Sequence, residues 1–181
     1  MAGFIKGNAL DLGRFADASF DVILNMGPLY HLTEEKDRRR AMEEALRVLK
    51  PGGLFFASFI SRYAFIVDTL KRDPASIGDF RDIQEQLLVN GINIVSDENP
   101  GFTNAYFIHP SDIEPLMEGY GLGRLRLAAV EGFIDPVEPA VNSLPEKLFN
   151  RWVDLCYRLG TDPVIWGTSE HMLYVGRKGT P

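Results

Sequence analysis

The sequence has few of the features that mark proteins of oxidising compartments or membranes. Cys156 is the only cysteine among 181 residues, which excludes an intrachain disulfide and a cluster of thiolate metal ligands. No apolar run approaches the roughly 18 residues of a membrane span, and the first ten residues lack the apolar middle of a signal peptide. We therefore expect a cytoplasmic protein that is neither exported nor inserted into a membrane.

Positive charge is also scarce. The formal net charge is -6 and the sequence pI is about 5.1, so the chain has no basic field to hold a nucleic acid or an anionic membrane surface. We expect the one basic run, residues 38–40, to be the solvated face of a helix. The three histidines, His31, His109 and His171, are interpreted as scattered and without acidic companions, so we expect no metal site.

What is present is the composition of one globular domain, with 45% hydrophobic and 24% charged residues. Residues 20–26 form a continuous apolar run, which is typical of a strand buried on both faces of a parallel sheet. Thr33 is expected to cap a helix that Pro51 ends, and residues 54–60 form a second buried strand. The order strand, helix, strand predicts an α/β domain.

The remainder of the chain is less regular. Residues 61–108 contain one or two helical patterns and a Gly/Asn-rich stretch at 90–104, and we interpret them as an inserted cap or lid. Ser111 and Glu114 form a predicted capping box at the start of a helix that ends near 119–121. Later segments predict a strand at 125–130, a helix opening at Ser143 and a strand at 171–176. No linker divides the chain, so we expect a single domain, 1–181, with one insertion.

Three segments, taken together, resemble the middle of class I S-adenosylmethionine-dependent methyltransferases of the type 11 kind. They are residues 7–12, 19–32 and 45–53, and the resemblance is close over residues 4–60 and looser beyond. It implies a partial Rossmann-like sheet, mostly parallel with its last strand antiparallel, with helices on its faces and a helical insertion. It also implies S-adenosylmethionine as the cofactor and methyl transfer to an unidentified small molecule as the activity.

The resemblance also assigns residues to the cofactor. In this family the loop after the third strand meets the adenine, at the positions of Asn8 and Ala9 here, and the end of the fourth strand forms a wall along the methionine part, at Asn25, Met26 and Gly27. The first of these positions is more often Asp, so Asn8 keeps the acceptor oxygen and loses the charge. The alternative is that this segment is simply a turn.

Two residues just after that fourth strand are the candidate catalytic residues, because a methyl acceptor would approach there. The imidazole of His31 is a side chain that can accept a proton from an attacking hydroxyl or amine. A structural hydrogen-bonding role is the alternative, since methyl transfer depends mainly on in-line positioning and a base is optional. Tyr30 is interpreted more as a wall of the pocket than as a catalyst.

The 181 residues lack the family's first motif, a Gly-rich turn after a first strand, and the acidic residue that follows a second strand. We therefore expect a truncated C-terminal half of the domain. The one Gly-x-Gly-x-Gly run, 119–123, ends a helix and is interpreted as its C-cap. The absence of the Gly-rich turn also argues against a nicotinamide dehydrogenase, and no Gly-x-Ser-x-Gly elbow supports a hydrolase. Two hypotheses remain: an enzyme with part of its site supplied elsewhere, or a non-catalytic remnant or interaction module.

The resemblance has a consequence for association. In the family's strand order, a chain that starts at the end of the third strand leaves residues 20–26 without a neighbour on one side. That edge is apolar and carries no Lys or Pro to discourage pairing. We expect the chain to associate with a second copy through this edge, most simply as a two-fold homodimer, or to aggregate.

Overall fold

A computed structural model describes residues 3–78, 81–97 and 103–180. Its strands are β1 Phe20–Asn25, β2 Leu49–Ser61, β3 Ile92–Asn93, β4 Ala105–Ile108, β5 Leu122–Ala129 and β6 His171–Lys178. Its α-helices are α1 Pro28–His31, α2 Glu35–Val48, α3 Ala64–Arg72, α4 Arg81–Asn90, α5 Pro110–Gly119, α6 Glu138–Asn142, α7 Glu146–Leu159 and α8 Pro163–Trp166. Two 3-10 turns, Pro74–Gly78 and Gly132–Val137, lie between them.

The strands form one mixed sheet in the order β3-β4-β2-β6-β5, with β1 also beside β2. β1 and β4 are parallel to β2, whereas β6 is antiparallel to both β2 and β5. β1 and β4 pair with the same edge of β2 at different positions along that strand, since Asn25 pairs with Ala57 and Phe107 pairs with Ile60. The predicted α/β sheet with an antiparallel last strand is therefore confirmed.

The hydrophobic core lies between one face of the sheet and helices α2 and α5. Alternate residues of β2, Phe55, Ala57 and Phe59, face these helices and are buried with Met42 of α2 and Met117 of α5. This alternation follows from the period of two along a strand. The covered face therefore accounts for most of the buried side chains.

The opposite face of the sheet is open at β1. Leu24 pairs with Phe56 across the strands and is 66% exposed, and Val22 is 45% exposed. The expectation that residues 20–26 are buried on both faces is wrong, because only Asn25 of β1 is buried. Within the described residues β1 pairs with β2 alone, so its other edge is free, as the family's strand order predicts for this sequence.

Three helix starts differ from the prediction. α2 begins at Glu35 without a side-chain cap from Thr33, whose carbonyl instead accepts a hydrogen bond from the Arg38 side chain. α5 begins at Pro110, and its cap is His109, whose Nδ1 accepts from the Ser111 amide. This displaces the predicted box of Ser111 and Glu114. α7 begins at Glu146 after Pro145, not at Ser143. α5 and α7 thus begin next to a proline, Pro110 and Pro145, whereas α2 begins without any side-chain cap.

Two strands are longer than the sequence pattern predicts, whereas the predicted end of α5 is confirmed. β2 begins at Leu49, since it already pairs with Phe20 there, and β5 begins at Leu122. Gly121, with φ at +72°, lies in the left-handed conformation that ends α5, and its amide donates to Glu118 O. The interpretation of 61–108 as a cap stays a prediction; parts of it, 79–80 and 98–102, lie outside the described residues.

Candidate functional site

The candidate site lies at the carboxyl edge of the sheet, where open α/β sheets bind their ligands. β1 ends there at Asn25, β2 at Ser61 and β5 at Ala129. Because β6 runs in the opposite direction, its first residue, His171, lies at the same edge, paired with Ile60 of β2. Residues far apart in the sequence therefore meet along one border of the sheet.

The end of β1 combines an unpaired polar atom with an unusual backbone. Asn25 is buried, and its Oδ1 has no hydrogen-bond partner among the described residues. Gly27 has φ at +138°, a conformation that residues with a side chain rarely adopt, and it turns the chain into α1. Met26, between them, is exposed. Backbone and amide groups at this turn can thus approach a ligand closely.

The structure brings the two candidate catalytic residues to the same turn. The rings of Tyr30 and His31 have centroids 4.7 Å apart. A methyl group placed on the Cα of Gly27 would lie 3.7 Å from His31 Cδ2 and 3.8 Å from Tyr30 Oη. His31 is exposed and therefore accessible to a small molecule. These three residues therefore form one group after the end of β1.

Asn8 and Ala9 lie in a tight turn. Asn8 Oδ1 accepts from the Leu10 amide at 3.0 Å, and Asn8 O accepts from the Asp11 amide at 3.0 Å. The turn interpretation therefore describes the local geometry, yet it leaves Asn8 Oδ1 a second lone pair. Among the hydrogen bonds of the described residues, none uses the amide of Ala9. Asn8 Oδ1 and the Ala9 amide, the two groups that would face an adenine, can therefore each form a further hydrogen bond.

This turn is held against α2 by a buried carboxylate. Glu44 Oε2 accepts from the Leu12 amide at 2.8 Å, and Arg47 donates to both Glu44 oxygens. The hydrogen bond from Arg47, and then that from Leu12, lower the pKa of Glu44 to about 2. Glu44 is therefore ionised at neutral pH and fixes the loop relative to the helix.

A second polar group at the carboxyl edge has no counterpart in the sequence predictions. Glu131 Oε1 accepts from His171 Nδ1 at 2.8 Å, and Glu131 Oε2 accepts from the Ser169 hydroxyl at 2.6 Å and from the His171 amide at 2.9 Å. The interpretation of the histidines as lacking acidic companions is thus wrong for His171. The antiparallel neighbours β5 and β6 create this contact, which a predicted pairing of the two strands would have indicated.

Next to it lies a cluster of Lys71, Asp135 and Glu170, in which Asp135 is buried and the other two are partly exposed. Lys71 Nζ donates to Asp135 Oδ1 at 2.6 Å and lies 3.4 Å from Glu170 Oε1. Burial raises the pKa of Glu170 to about 7, and its hydrogen bond with Asp135 and that residue's negative charge act in the same direction. Glu170 therefore carries its proton for part of the time near neutral pH. No sequence pattern singles out any of the three residues.

Metal-binding clusters and membrane-spanning helices are both absent from the described part of the chain. There, no group of three or more His, Cys, Asp or Glu side chains is arranged to hold a metal ion. No helix of residues 3–78, 81–97 or 103–180 has both the length and the apolar character needed to cross a bilayer.

Comparison with known proteins gives a family match over part of the chain. Residues 2–57 match the family model described as a methyltransferase domain. A proposed methyltransferase of Encephalitozoon cuniculi is 45% identical over 51 residues, which are 28% of this chain and 24% of that protein. The region matched by the family model contains the Asn8 turn, β1, the Gly27 turn and α2.

Solved structures extend the similarity of fold to nearly the whole chain. An S-adenosylmethionine-dependent methyltransferase of Methanosarcina mazei gives a TM-score of 0.56 at 18% identity, over 97% of this chain and 66% of that one. A Thermotoga maritima methyltransferase, described as a candidate histamine N-methyltransferase, gives 0.52 at 20% identity, over 96% and 63%. The chain thus spans less than two thirds of these structures, and it matches about a quarter of the curated relative.

Proposed function

We propose that this chain, which groups with class I S-adenosylmethionine-dependent methyltransferases by sequence over residues 2–57 and by fold over nearly its whole length, binds S-adenosylmethionine and takes part in methyl transfer to a small molecule. The bound cofactor would supply an electrophilic methyl group on a sulfonium. The coincidence of the family match with the turn at Gly27 and the unpaired Asn25 Oδ1 carries the proposal.

The residues present fit the cofactor in part. Asn8 would accept from the adenine amine with its second lone pair, and the amide of Ala9 would face the ring. Gly27 would let the methionine part pass close to the backbone, beside Asn25 and Met26. No Gly-rich turn and no acidic residue for the ribose hydroxyls occupy the family's usual positions in these 181 residues. The contacts that these two features make to the cofactor in the family therefore have no counterpart within these 181 residues.

Roles at the acceptor side are part of the same proposal. His31 would take the proton that an attacking hydroxyl or amine loses, because it is exposed and adjoins the Gly27 turn. Tyr30 would form a wall that orients the acceptor. The contacts within this group support the assignment by bringing both side chains to the end of β1.

Titration of the purified chain with S-adenosylhomocysteine tests cofactor binding. Three absent charge-assisted hydrogen bonds remove roughly 4–9 kcal/mol, and at about 1.4 kcal/mol per decade a micromolar site becomes millimolar or weaker. We therefore expect saturation-transfer NMR to detect binding only at millimolar ligand. Absence of any transfer there would contradict the proposal, and a dissociation constant below about 10 µM would contradict the need for the absent contacts.

Two variants locate the site within the same titration. Asn8→Ala should reduce the transfer signal of the adenine protons, because it removes the acceptor for the amine. His31→Ala should leave it nearly unchanged, since this residue belongs to the acceptor side. Equal losses in the two variants would show that the adenine does not lie at Asn8.

A further inference from the structure

A cavity of about 410 Å³ lies between α2 and α5, on the covered face of the sheet. This is the size of an ordinary small-molecule site. Its floor is apolar, because Leu29, Met42 and Phe59 line the cavity and are themselves buried. The cavity is separate from the turns at Asn8 and Gly27, whose residues do not line it.

The three arginines of the run 38–40 differ in their relation to this cavity. Arg40 is exposed and does not line it. Arg39 lines it, but its charge is balanced by an ion pair with Glu35 at 2.8 Å. Arg38 also lines it and is partly buried, and it forms no ion pair with any residue that the structure describes. The expected solvated face of a helix therefore describes Arg39 and Arg40, whereas Arg38 is an unpaired cation in the cavity wall.

The Arg38 guanidinium is held in one orientation. Its Nη1 donates to the carbonyls of Leu32 at 2.8 Å and Thr33 at 2.6 Å. Its Cζ lies 3.7 Å from the centroid of the Tyr106 ring, so the guanidinium lies over the face of that ring. A planar cation that is already fixed in this way loses little freedom when it binds a ligand.

These contacts leave one edge of the guanidinium without an acceptor. Nε and Nη2 of Arg38 lie on the same edge, and neither donates to any of the described residues. Both nitrogens keep accessible surface, since neither is among the buried unpaired atoms of this part of the chain. The edge presents two parallel N–H donors, an arrangement that matches the two oxygens of a carboxylate.

Two phenols add neutral donors to the same wall. Tyr106 and Tyr120 line the cavity, and neither hydroxyl has a hydrogen-bond partner in residues 3–78, 81–97 or 103–180. Burial raises the pKa of Tyr120, so its hydroxyl keeps its proton at neutral pH. Burial also lowers the pKa of Arg38, because the partly desolvated cation has no counterion. An anionic ligand would supply that counterion.

We infer that this cavity binds a small organic carboxylate, with Nε and Nη2 of Arg38 donating to its two oxygens and the apolar floor enclosing its body. The binding is non-covalent. It does not depend on methyl transfer or on cofactor binding, so either proposal can fail without the other.

Three probes test the two parts of the site. 3-Phenylpropionate carries a carboxylate and an apolar body, 3-phenylpropionamide lacks the charge, and acetate lacks the body. In calorimetric titrations of the chain at pH 7, 3-phenylpropionate should bind on the order of 10- to 100-fold more tightly than the amide, as a charge-assisted bidentate contact predicts. It should also bind about 10-fold more tightly than acetate, because the phenyl group is buried. Equal affinity for 3-phenylpropionate and either other probe, or no binding at millimolar concentration, would overturn the inference.

Two variants on α2 test the contact to Arg38. Arg38→Gln should reduce the affinity for 3-phenylpropionate to that for the amide, whereas the affinity for the amide should change much less. A purely structural role of Arg38 would weaken the binding of both probes alike, and that result would overturn the inference. Arg40→Gln, which removes the same charge from the same helix outside the cavity, is the control and should retain the preference for the carboxylate.

A variant on α5 tests the location, also if Arg38→Gln does not fold. Gly119 lines the cavity, and a Cβ built there has no other heavy atom within 4 Å. Gly119→Trp should therefore fill the cavity without strain and abolish binding of 3-phenylpropionate, whereas Val164→Trp, on exposed α8, should not. Binding that persists unchanged in Gly119→Trp, with folding verified by thermal denaturation, would overturn the inference.

Discussion

Glu131 and His171 are joined by two hydrogen bonds at the carboxyl edge of the sheet. Glu131 accepts from both the side chain and the backbone amide of His171, and also from Ser169. Burial by itself would raise the pKa of Glu131, but these hydrogen bonds outweigh it and lower the pKa to about 2. The bond to Glu131 raises the pKa of His171 in turn. The end of β5 is thereby fixed to the start of β6.

Glu131→Gln should lower the pKa of His171, because the imidazolium loses its anionic partner. NMR titration of the His171 ring protons measures this change. Glu118→Gln, on the exposed side of α5, is the control and should leave the titration unaltered. A His171 midpoint that does not move in Glu131→Gln would contradict the pairing.

In the same variant, the stability of the fold should depend less on pH in the acid range. A carboxylate with a depressed pKa stabilises the fold fully above about pH 4.5, and this contribution disappears as the pH falls through about 2. The contribution is on the order of 2–3 kcal/mol, since the Glu131 side chain is 27% exposed. We therefore expect the free energy of unfolding, measured by urea denaturation at several values between pH 2 and 5, to change less with pH in Glu131→Gln than in the parent chain.

Glu170→Gln should have the opposite effect at higher pH. A carboxyl whose pKa is raised contributes stability below about pH 4.5 and loses it as the pH rises through about 7. At pH 8 the ionised group beside Asp135 is unfavourable, so the neutral variant should be more stable than the parent by roughly 1–3 kcal/mol. At pH 5 the two should be nearly equal. Urea denaturation at pH 5 and pH 8 measures the difference in free energy of unfolding between variant and parent. The same difference at both pH values would contradict a raised pKa of Glu170.

Gly27→Ala should destabilise the protein by about 1–3 kcal/mol, because φ at +138° strains any residue with a Cβ. The contacts that the new methyl group would make are of ordinary length, so the cost comes from the backbone. Gly119→Ala is the control, since it lies at the end of α5 in open space without a positive φ. Thermal denaturation should show that variant to be neutral or slightly stabilised.

Leu24→Lys should suppress the association expected at β1. Leu24 is exposed on the open face, whereas Ile23 packs against the core and is unsuitable for a charge. Light scattering coupled to size exclusion should give a mass of about 40 kDa or more for the parent, twice the 20.3 kDa of the chain, and a smaller mass for the variant. Val164→Lys, on exposed α8, is the control. A parent chain that is monomeric would contradict the expectation.

Local sequence patterns predicted four of the six strands among the described residues, β1, β2, β5 and β6, whereas β3 and β4 lie within residues 61–108, where a cap was expected. The apolar runs at 20–26 and 54–60 and the final segment at 171–176 all form strands, and Gly121 follows the C-cap of α5 in the left-handed conformation. These features depend on periodicity and on backbone conformation, which neighbouring residues determine. Helix starts were predicted less well, since His109 caps α5 through a side chain that the capping pattern does not include.

Contacts across the sheet could not be predicted in the same way. Glu131 and His171 are 40 residues apart, and Lys71 and Asp135 are 64 apart. Their proximity depends on the antiparallel insertion of β6 beside β5 and on the packing of α3 against the second 3-10 turn. The positions at Asn8 and Gly27 follow from the family resemblance alone, because no local pattern marks a cofactor contact there.

The position of β6 bears on how the chain folds during synthesis. β6 is the last strand in the sequence, yet it lies between β2 and β5 and pairs with both. Lys178, at the end of β6, donates to the carbonyls of Leu46 and Leu49, which lie at the C-terminal end of α2. β5 therefore cannot join the sheet until β6, which ends at residue 178, has been synthesised and has left the ribosome. Until then β2 presents an unpaired edge, and this interval is when a nascent chain would most need a chaperone.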